Sequence, residues 1–380
     1  MGTDHAITGR RLGHVSTLDG VRAVAAVAVV LFHARIGLFA NGDIGVDVFF
    51  VLSGFLITSI LIPMAGASGK IDYREFYRRR ALRLLPAYFA VVFTCVVLEC
   101  FSNYGGTFKG AAVSTIYVAN WAIAATGMGL GTLSHTWSLS VEEQFYFVWP
   151  ALFGLMLRRS GFNGRTMLLA VGALVVLAWL AVVGLAAVGA PARVASNATP
   201  TRAVELLSGA MLAIFVGTPG LSGAMSRCRA LSPVSVGGAV AGVLLLGLIA
   251  LSGTTPTLDA VAGWPLISVL TCAVVYACLR GAPSLAKPLG NRVMTAIGKR
   301  SYGLYLWHFP IFVVIDTRWG LDSWTAKLAG IAVSAVVVTL SYKFIEQPFL
   351  ARKDRRPVPA PESVPAAHWA ETPPLVAVEG

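Results

Sequence analysis

The sequence predicts an all-α polytopic membrane protein of about ten transmembrane helices, with both termini in the cytoplasm. Three observations carry that prediction. Of the 380 residues, 56% are hydrophobic and only 13% charged, with a mean hydropathy of +0.72; a water-soluble domain carries about 25% charged residues. The apolar residues are gathered into runs long enough to cross a hydrocarbon layer at about 1.5 Å per helical residue. The charges, finally, are distributed unevenly between the two sides that those runs define.

Read between polar breaks, the runs give spans at 21–39, 45–64, 84–101, 138–157, 166–188, 203–217, 233–251, 262–280, 301–316 and 325–347. With the N-terminus inside, 24 of the 30 Lys and Arg fall in tails, inner loops or inner helix ends. Arg35, Lys109, Arg193, Arg202, Arg318 and Lys327 are left outside. That is the positive-inside pattern. The net charge of +12 therefore marks topology rather than a nucleic-acid partner. Residues 108–133 are moderately apolar, but counting them as a span would carry Arg158, Arg159, Arg165 and the 287–300 basic cluster outside. Residues 102–136 are read instead as an outer loop with a re-entrant or surface-lying piece, which Gly127, Gly129 and Gly131 suit. The sixth span is short and carries Glu205, so a tilted or broken helix is expected there.

The domain reading follows: residues 1–14 form a cytoplasmic tail and 15–350 the membrane domain. Residues 351–380, charged and then rich in Pro and Ala, form a disordered cytoplasmic tail. The five cysteines show no CxxC or ligand spacing, and three of them lie in apolar runs, which argues against a disulfide scaffold. The first apolar run has no A-x-A site and leads straight into a second, unlike a cleaved signal peptide.

Polar residues inside such runs are the functional candidates. Ser16, Thr17 or Asp19 is expected to cap the first helix, with Arg22 in its first turn near the cytoplasmic face. His33 is eleven residues on, about 16 Å up the axis and past the bilayer middle. An ionisable group there faces a cavity or the bundle interior and marks function by default. His135 stands at the outer mouth of the fourth span, and His308 lies inside the ninth, just before Pro310. No HExxH or ligand-spaced pair occurs, so no metal is expected. A neutral buried imidazole suits general base catalysis.

Glu142 and Glu143 open the fourth span from the outer side. Standing about 100° apart on a helix, only one of them comfortably faces inward. Asp43 and Asp47 begin the second span, where Gly42, Gly45 and Gly54 allow close helix approach; Asp47 is placed to orient a polar group in a cavity. At the inner mouth, "YREFYRRRALRLLPAY" crowds Arg74, Arg78, Arg79, Arg80 and Arg83 into ten residues, more than topology needs. Guanidinium forks suit phosphate oxygens, so a phosphorylated donor arriving from the cytoplasm fits. No glycine-rich phosphate loop is present, which excludes a nucleotide triphosphatase. A secondary transporter, the alternative class, predicts an inverted repeat that the sequence does not show.

These residues stand in "LDGVRAVAAVAVVLFH", "IGVDVFFVLSGFLIT", "RRRALRLLP", "HTWSLSVEEQFYFVWP", "SYGLYLWHFP" and "YKFIEQPF". In that order, over roughly 15–350, they resemble the acyltransferase-3 family of integral-membrane O-acyltransferases. The resemblance implies a ten-helix core and an acyl-CoA donor, acetyl-CoA being the expected one. It also implies that His33 is essential to transfer, and that Arg22, Arg80 and Arg83 are tied to activity. His33 would then take the acceptor's proton, or be acylated itself and pass the group on; the residues do not choose between these. Arg80 and Arg83, with Arg79, would hold CoA phosphates, and Arg22 would anchor the donor or brace Asp19. Glu142 or Glu143 would serve on the acceptor side, supported by Asp47, His135, Tyr305 and His308. The expected acceptor is a sugar hydroxyl of a surface glycan, a lipid-linked sugar or a secondary metabolite, a macrolide antibiotic being the alternative. The expected location is a bacterial plasma membrane. Larger members add a hydrolase-like domain after the last span, so this chain is expected to act as the bare membrane domain or with a separate partner.

Overall fold

The computed structural model describes residues 13–65, 70–102, 104–161, 163–218, 231–250 and 259–354, and among them there is helix and no strand. Each predicted span coincides with one long helix. These are α1 (Ser16–His33), α2 (Ile44–Ala65), α3 (Tyr73–Phe101), α6 (Thr136–Arg159), α7 (Gly164–Ala187), α9 (Thr199–Val216), α10 (Leu231–Ala250), α11 (Trp264–Leu279), α14 (Ser301–Trp319) and α15 (Trp324–Ser341). Shorter helices fill the connections: α4 (Thr107–Thr115), α5 (Ala119–Thr126), α8 (Ala192–Asn197), α12 (Pro283–Gly290), α13 (Arg292–Lys299) and α16 (Gln347–Asp354). Eight of the long helices are apolar enough to cross a membrane. The other two, α6 with 24 residues and α14 with 19, carry Glu142, Glu143 and His308.

The boundaries depart from the hydropathy pattern at informative places. The first helix ends at His33 rather than 39, because Arg35 adopts a left-handed φ of 54° and its guanidinium is held by Asp316 at 2.6 and 3.1 Å. His33 therefore stands in the last turn of α1. The expected side-chain cap on α1 is absent: Val15 is the N-cap, and Asp19 accepts from His14 at 2.8 Å instead. The third helix starts eleven residues before its apolar run, because Asp72 accepts the Glu75 amide at 2.9 Å and caps it. The arginines from Arg74 to Arg83 are thus helical rather than in a loop. The ninth helix is continuous through Glu205. In 102–136, α4 and α5 have nine and eight residues, short of the about 20 a hydrocarbon layer needs. Helix α16 runs past residue 350 to Asp354; residues 1–12 and 355–380 of the expected tails lie outside the described residues.

The bundle closes on α2. A Cβ at Gly45 would overlap the Ala25 carbonyl oxygen of α1, and one at Gly54 that of Leu206 on α9. With no side chain between them, the backbones lie against each other, the membrane solution to helix packing. One buried cluster joins α2 to α3, α6, α7, α9 and α14 through Phe50, Tyr88, Trp149, Phe153 and Leu306. A second joins its other face to α1, α10, α11 and α12 through Phe55, Leu18, Leu245 and Leu285. Phe93, Leu169, Val243 and Val269 point outward, as helices solvated by lipid require.

Candidate active site

Three helices bring the histidines together. His33 ends α1, His308 lies mid-way along α14, and His135 immediately precedes α6. The Nδ1 of His33 is 2.9 Å from the Val29 carbonyl oxygen, and the Nδ1 of His308 is 2.9 Å from that of Leu304. A carbonyl only accepts, so each Nδ1 carries a proton. The Nε2 of His308 is then an acceptor, and it lies 3.2 Å from Nδ1 of His33. The His33 proton is shared between Val29 and His308. This leaves the Nε2 lone pair of His33, a half-buried residue, without a hydrogen-bond partner among the described residues.

His135 is buried beside them, its ring 5.9 Å from that of His308, and neither ring nitrogen has a hydrogen-bond partner among the described residues. The Tyr305 hydroxyl donates to the His135 backbone carbonyl at 2.9 Å and is joined by the Ser138 hydroxyl, which ties α14 to the start of α6. Phe309 packs between His33 and His135 at 4.9 and 5.0 Å.

The other end of α1 belongs to arginines. Arg22 and Arg83, from α1 and α3, lie within electrostatic reach of each other, of Tyr146 and of Asp19. The guanidinium of Arg80 sits 3.4 Å above the Tyr146 ring, with an Nη 4.0 Å from Glu143. Glu142 accepts from Ser53 of α2 at 2.8 Å and from Tyr146 at 2.9 Å. Both glutamates are therefore engaged inside the bundle, where the helical wheel allowed one; Glu142 turns to α2 while Glu143 reaches sideways to α3. Arg80, Arg22 and Tyr146 of the arginine end are among their partners. Arg79 is held by Glu75 at 2.6 Å, as is Arg78 at 2.7 Å.

The sequence profile of the acyltransferase domain family matches residues 15–344. The chain belongs to the acyltransferase-3 family. It is 33% identical over 353 residues to YrhL of Bacillus subtilis, covering 88% of this chain and 55% of that protein. To the O-acetyltransferase OatA of Staphylococcus aureus it is 31% identical over 345 residues, covering 87% and 56%. To the peptidoglycan O-acetyltransferase OatA of Listeria monocytogenes it is 31% identical over 350 residues, covering 88% and 56%. The chain spans about half the length of these curated relatives. No solved structure matches it.

The matched span holds all ten long helices and every side chain of the histidine and arginine clusters. In this acyltransferase, Asp47 binds Arg202 of α9, which also meets Glu205 at 3.1 Å and lies 4.2 Å from the Trp264 ring. Arg202, counted with the outer charges from sequence, is thus a buried residue of the bundle. Tyr146, Ser53, Ser138 and Phe309 were also not singled out. Tyr146 had a signal, since it follows Glu142 by four residues on one helix face. Ser53, Ser138 and Phe309 had none, because their partners are far away in the chain. Among the described residues, no group of three or more His, Cys, Asp or Glu is arranged to hold a metal ion. The site offers the Nε2 of His33 beside the ring of His135, both unpartnered among the described residues, and, about 16 Å along α1 from His33, the Arg22 guanidinium with those of Arg80 and Arg83 on α3.

Proposed function

We propose that this acyltransferase moves an acetyl group from cytoplasmic acetyl-CoA to a hydroxyl of a cell-wall glycan across a bacterial plasma membrane. The observation that carries this reading is the free Nε2 of His33, set by hydrogen bonds from Nδ1 to Val29 and His308. The names of the OatA relatives support O-acetylation, and for the Listeria protein a peptidoglycan acceptor. The positive-inside pattern supports placing Arg22, Arg80 and Arg83 at the cytoplasmic mouth, in a ten-span bundle with both termini inside.

In this mechanism Arg22, Arg80 and Arg83 hold the donor's phosphates, and the pantetheine arm reaches along α1 to His33. The acceptor hydroxyl gives its proton to Nε2 of His33 as its oxygen attacks the thioester carbonyl. The C–S bond breaks, and the thiolate leaves with the proton from Nε2 as CoA thiol. While His33 is charged, its Nδ1–H is aimed at Nε2 of His308, which makes His308 a positioning residue. A covalent relay uses the same nitrogen: Nε2 attacks the thioester and CoA leaves as the thiolate; the acceptor oxygen then attacks the acetyl carbon, the N–C bond breaks to restore the Nε2 lone pair, and the hydroxyl proton leaves with the thiolate as CoA thiol. Rapid-quench mass spectrometry of the peptide bearing His33 separates the routes, since only the relay gives an acetyl-mass adduct.

The reading is tested with purified protein in proteoliposomes, acetyl-CoA on the arginine side and a peptidoglycan fragment on the other. Acetylated glycan and released CoA are expected; no thioester cleavage with or without the fragment would overturn it. Orientation is tested separately in a cysteine-free background on intact cells. An impermeant reagent should label Arg193→Cys and spare Lys70→Cys, and the reverse pattern would invert the topology.

A further inference from the structure

Beside the N-terminus of α1 lies a second cavity, of about 500 Å³. Three cationic side chains line it, Arg292 and Lys299 of α13 and the adjoining Arg300. Neither Arg292 nor Lys299 has a carboxylate within 4.0 Å among the described residues. The other polar side chains in its wall, the hydroxyls of Ser16, Thr295 and Tyr342 and the Gln347 amide, each carry a group able to donate a hydrogen bond. The Thr295 hydroxyl and the Arg300 Nε are buried with no hydrogen-bond partner among the described residues. The Arg300 guanidinium is held in place 4.8 Å from the Tyr342 ring and donates to the Ala296 carbonyl at 2.9 Å. Ser16 is the first residue of an 18-residue helix that has no side-chain cap, so its first-turn amides add partial positive charge.

The cavity arises from the two faces of α13. Val293, Met294 and Ile297 turn to an apolar groove against Val24, Val27 and Ala28 of α1, whereas Arg292, Thr295 and Lys299 turn to the cavity. Cations, hydroxyls and a helix N-terminus converging without a lining carboxylate form a receptor for a compact polyvalent anion.

We propose that this cavity binds a phosphate group carried by an organic ligand. It is separate from the mouth formed by Arg22, Arg80 and Arg83, but Glu346 lies within electrostatic reach of both Arg83 and Arg300 and links the two. The phosphate has two sources: the 3′-phosphate at the nucleotide end of acyl-CoA, which rests on the function proposed above, or the headgroup of an anionic phospholipid. The motif "YKFIEQPF" gains a role on either source, since its Tyr342 and Gln347 face the ligand.

The test uses the whole protein in phosphatidylcholine nanodiscs, wild type against the double variant Arg292→Ala/Lys299→Ala. Calorimetry measures CoA and 3′-dephospho-CoA, and a parallel arm measures retention of fluorescent phosphatidylglycerol. If the nucleotide is the source, CoA affinity falls about 3- to 30-fold in the variant while 3′-dephospho-CoA binds both proteins alike. If the lipid is the source, phosphatidylglycerol retention falls instead and the two CoA forms are unaffected. Thr295→Val, which changes no charge, should weaken the same arm, and Lys287→Ala, on α12 outside the cavity, should leave both unchanged. Thermal melting checks that each variant is folded. A folded double variant with wild-type CoA affinity and wild-type lipid retention would overturn the proposal. Wild type that binds no CoA would instead overturn the acetyl-CoA reading, with the lipid arm still deciding the cavity.

Discussion

At Arg202, one guanidinium meets Asp47 on α2 and Glu205 one turn along α9, with the Trp264, Phe50 and Trp137 rings around it. Its side chain is 4% exposed. At the mouth, Arg22, Arg80 and Arg83 have Glu142, Glu143, Asp19 and Glu346 within electrostatic reach, but among the described residues only Arg80 has a carboxylate within 4.0 Å, and Glu142 already accepts from Ser53 and Tyr146 while Asp19 accepts from His14. The side chain of Arg80 is 18% exposed. In the first cluster two carboxylates take up one cation's donors, and the product is a staple between helices. In the second, no carboxylate closes on Arg22 or Arg83 within 4.0 Å among the described residues, and guanidinium donors left open at a partly exposed surface suit an anionic ligand. The difference teaches that a buried arginine in a membrane bundle is read by how closely its carboxylates hold it, not by its depth.

The comparison is broken most severely at the staple. Arg202→Ala removes the cation that meets both Asp47 and Glu205 inside the bundle, a loss of about 3–5 kcal/mol. Folded yield and melting temperature should both collapse, and a variant that melts with wild type would remove the structural role. Next comes His33→Gln, which keeps size and polarity but removes the proton acceptor. Transfer per folded molecule should fall about 100-fold or more, roughly 2.7 kcal/mol of barrier, with melting and donor affinity retained. Loss of stability with activity in proportion to folded protein would make His33 structural. The smallest effect belongs to the mouth: Arg80→Ala should weaken acetyl-CoA binding about 5- to 150-fold, about 1–3 kcal/mol, with little change in melting. Unchanged affinity would reduce the mouth arginines to topology signals.

The errors of the sequence reading have one physical origin. Hydropathy reports which residues tolerate lipid, whereas helix ends are set by hydrogen bonds and backbone dihedrals. The Arg35 turn therefore stops α1 inside an apolar run, and the Asp72 cap starts α3 inside a charged one. The helical wheel misjudged Glu142 and Glu143 for a similar reason, since it knows nothing of the neighbours on either flank.

What the sequence by itself determined are the properties that depend on near neighbours in the chain. Apolar runs of span length placed the ten long helices, and the rise of a single helix set Arg22 about 16 Å from His33. The chain's motifs were also enough to indicate its family. Only the tertiary structure decided that His308 hydrogen-bonds His33 across 275 positions, that His135 joins them, and that Asp47 closes on Arg202. Such pairings depend on which helix faces meet. In a bilayer that choice is made by close backbone contact, as at Gly45 and Gly54, and by the cost of an unpaired charge, neither of which leaves a periodic trace in one chain's sequence.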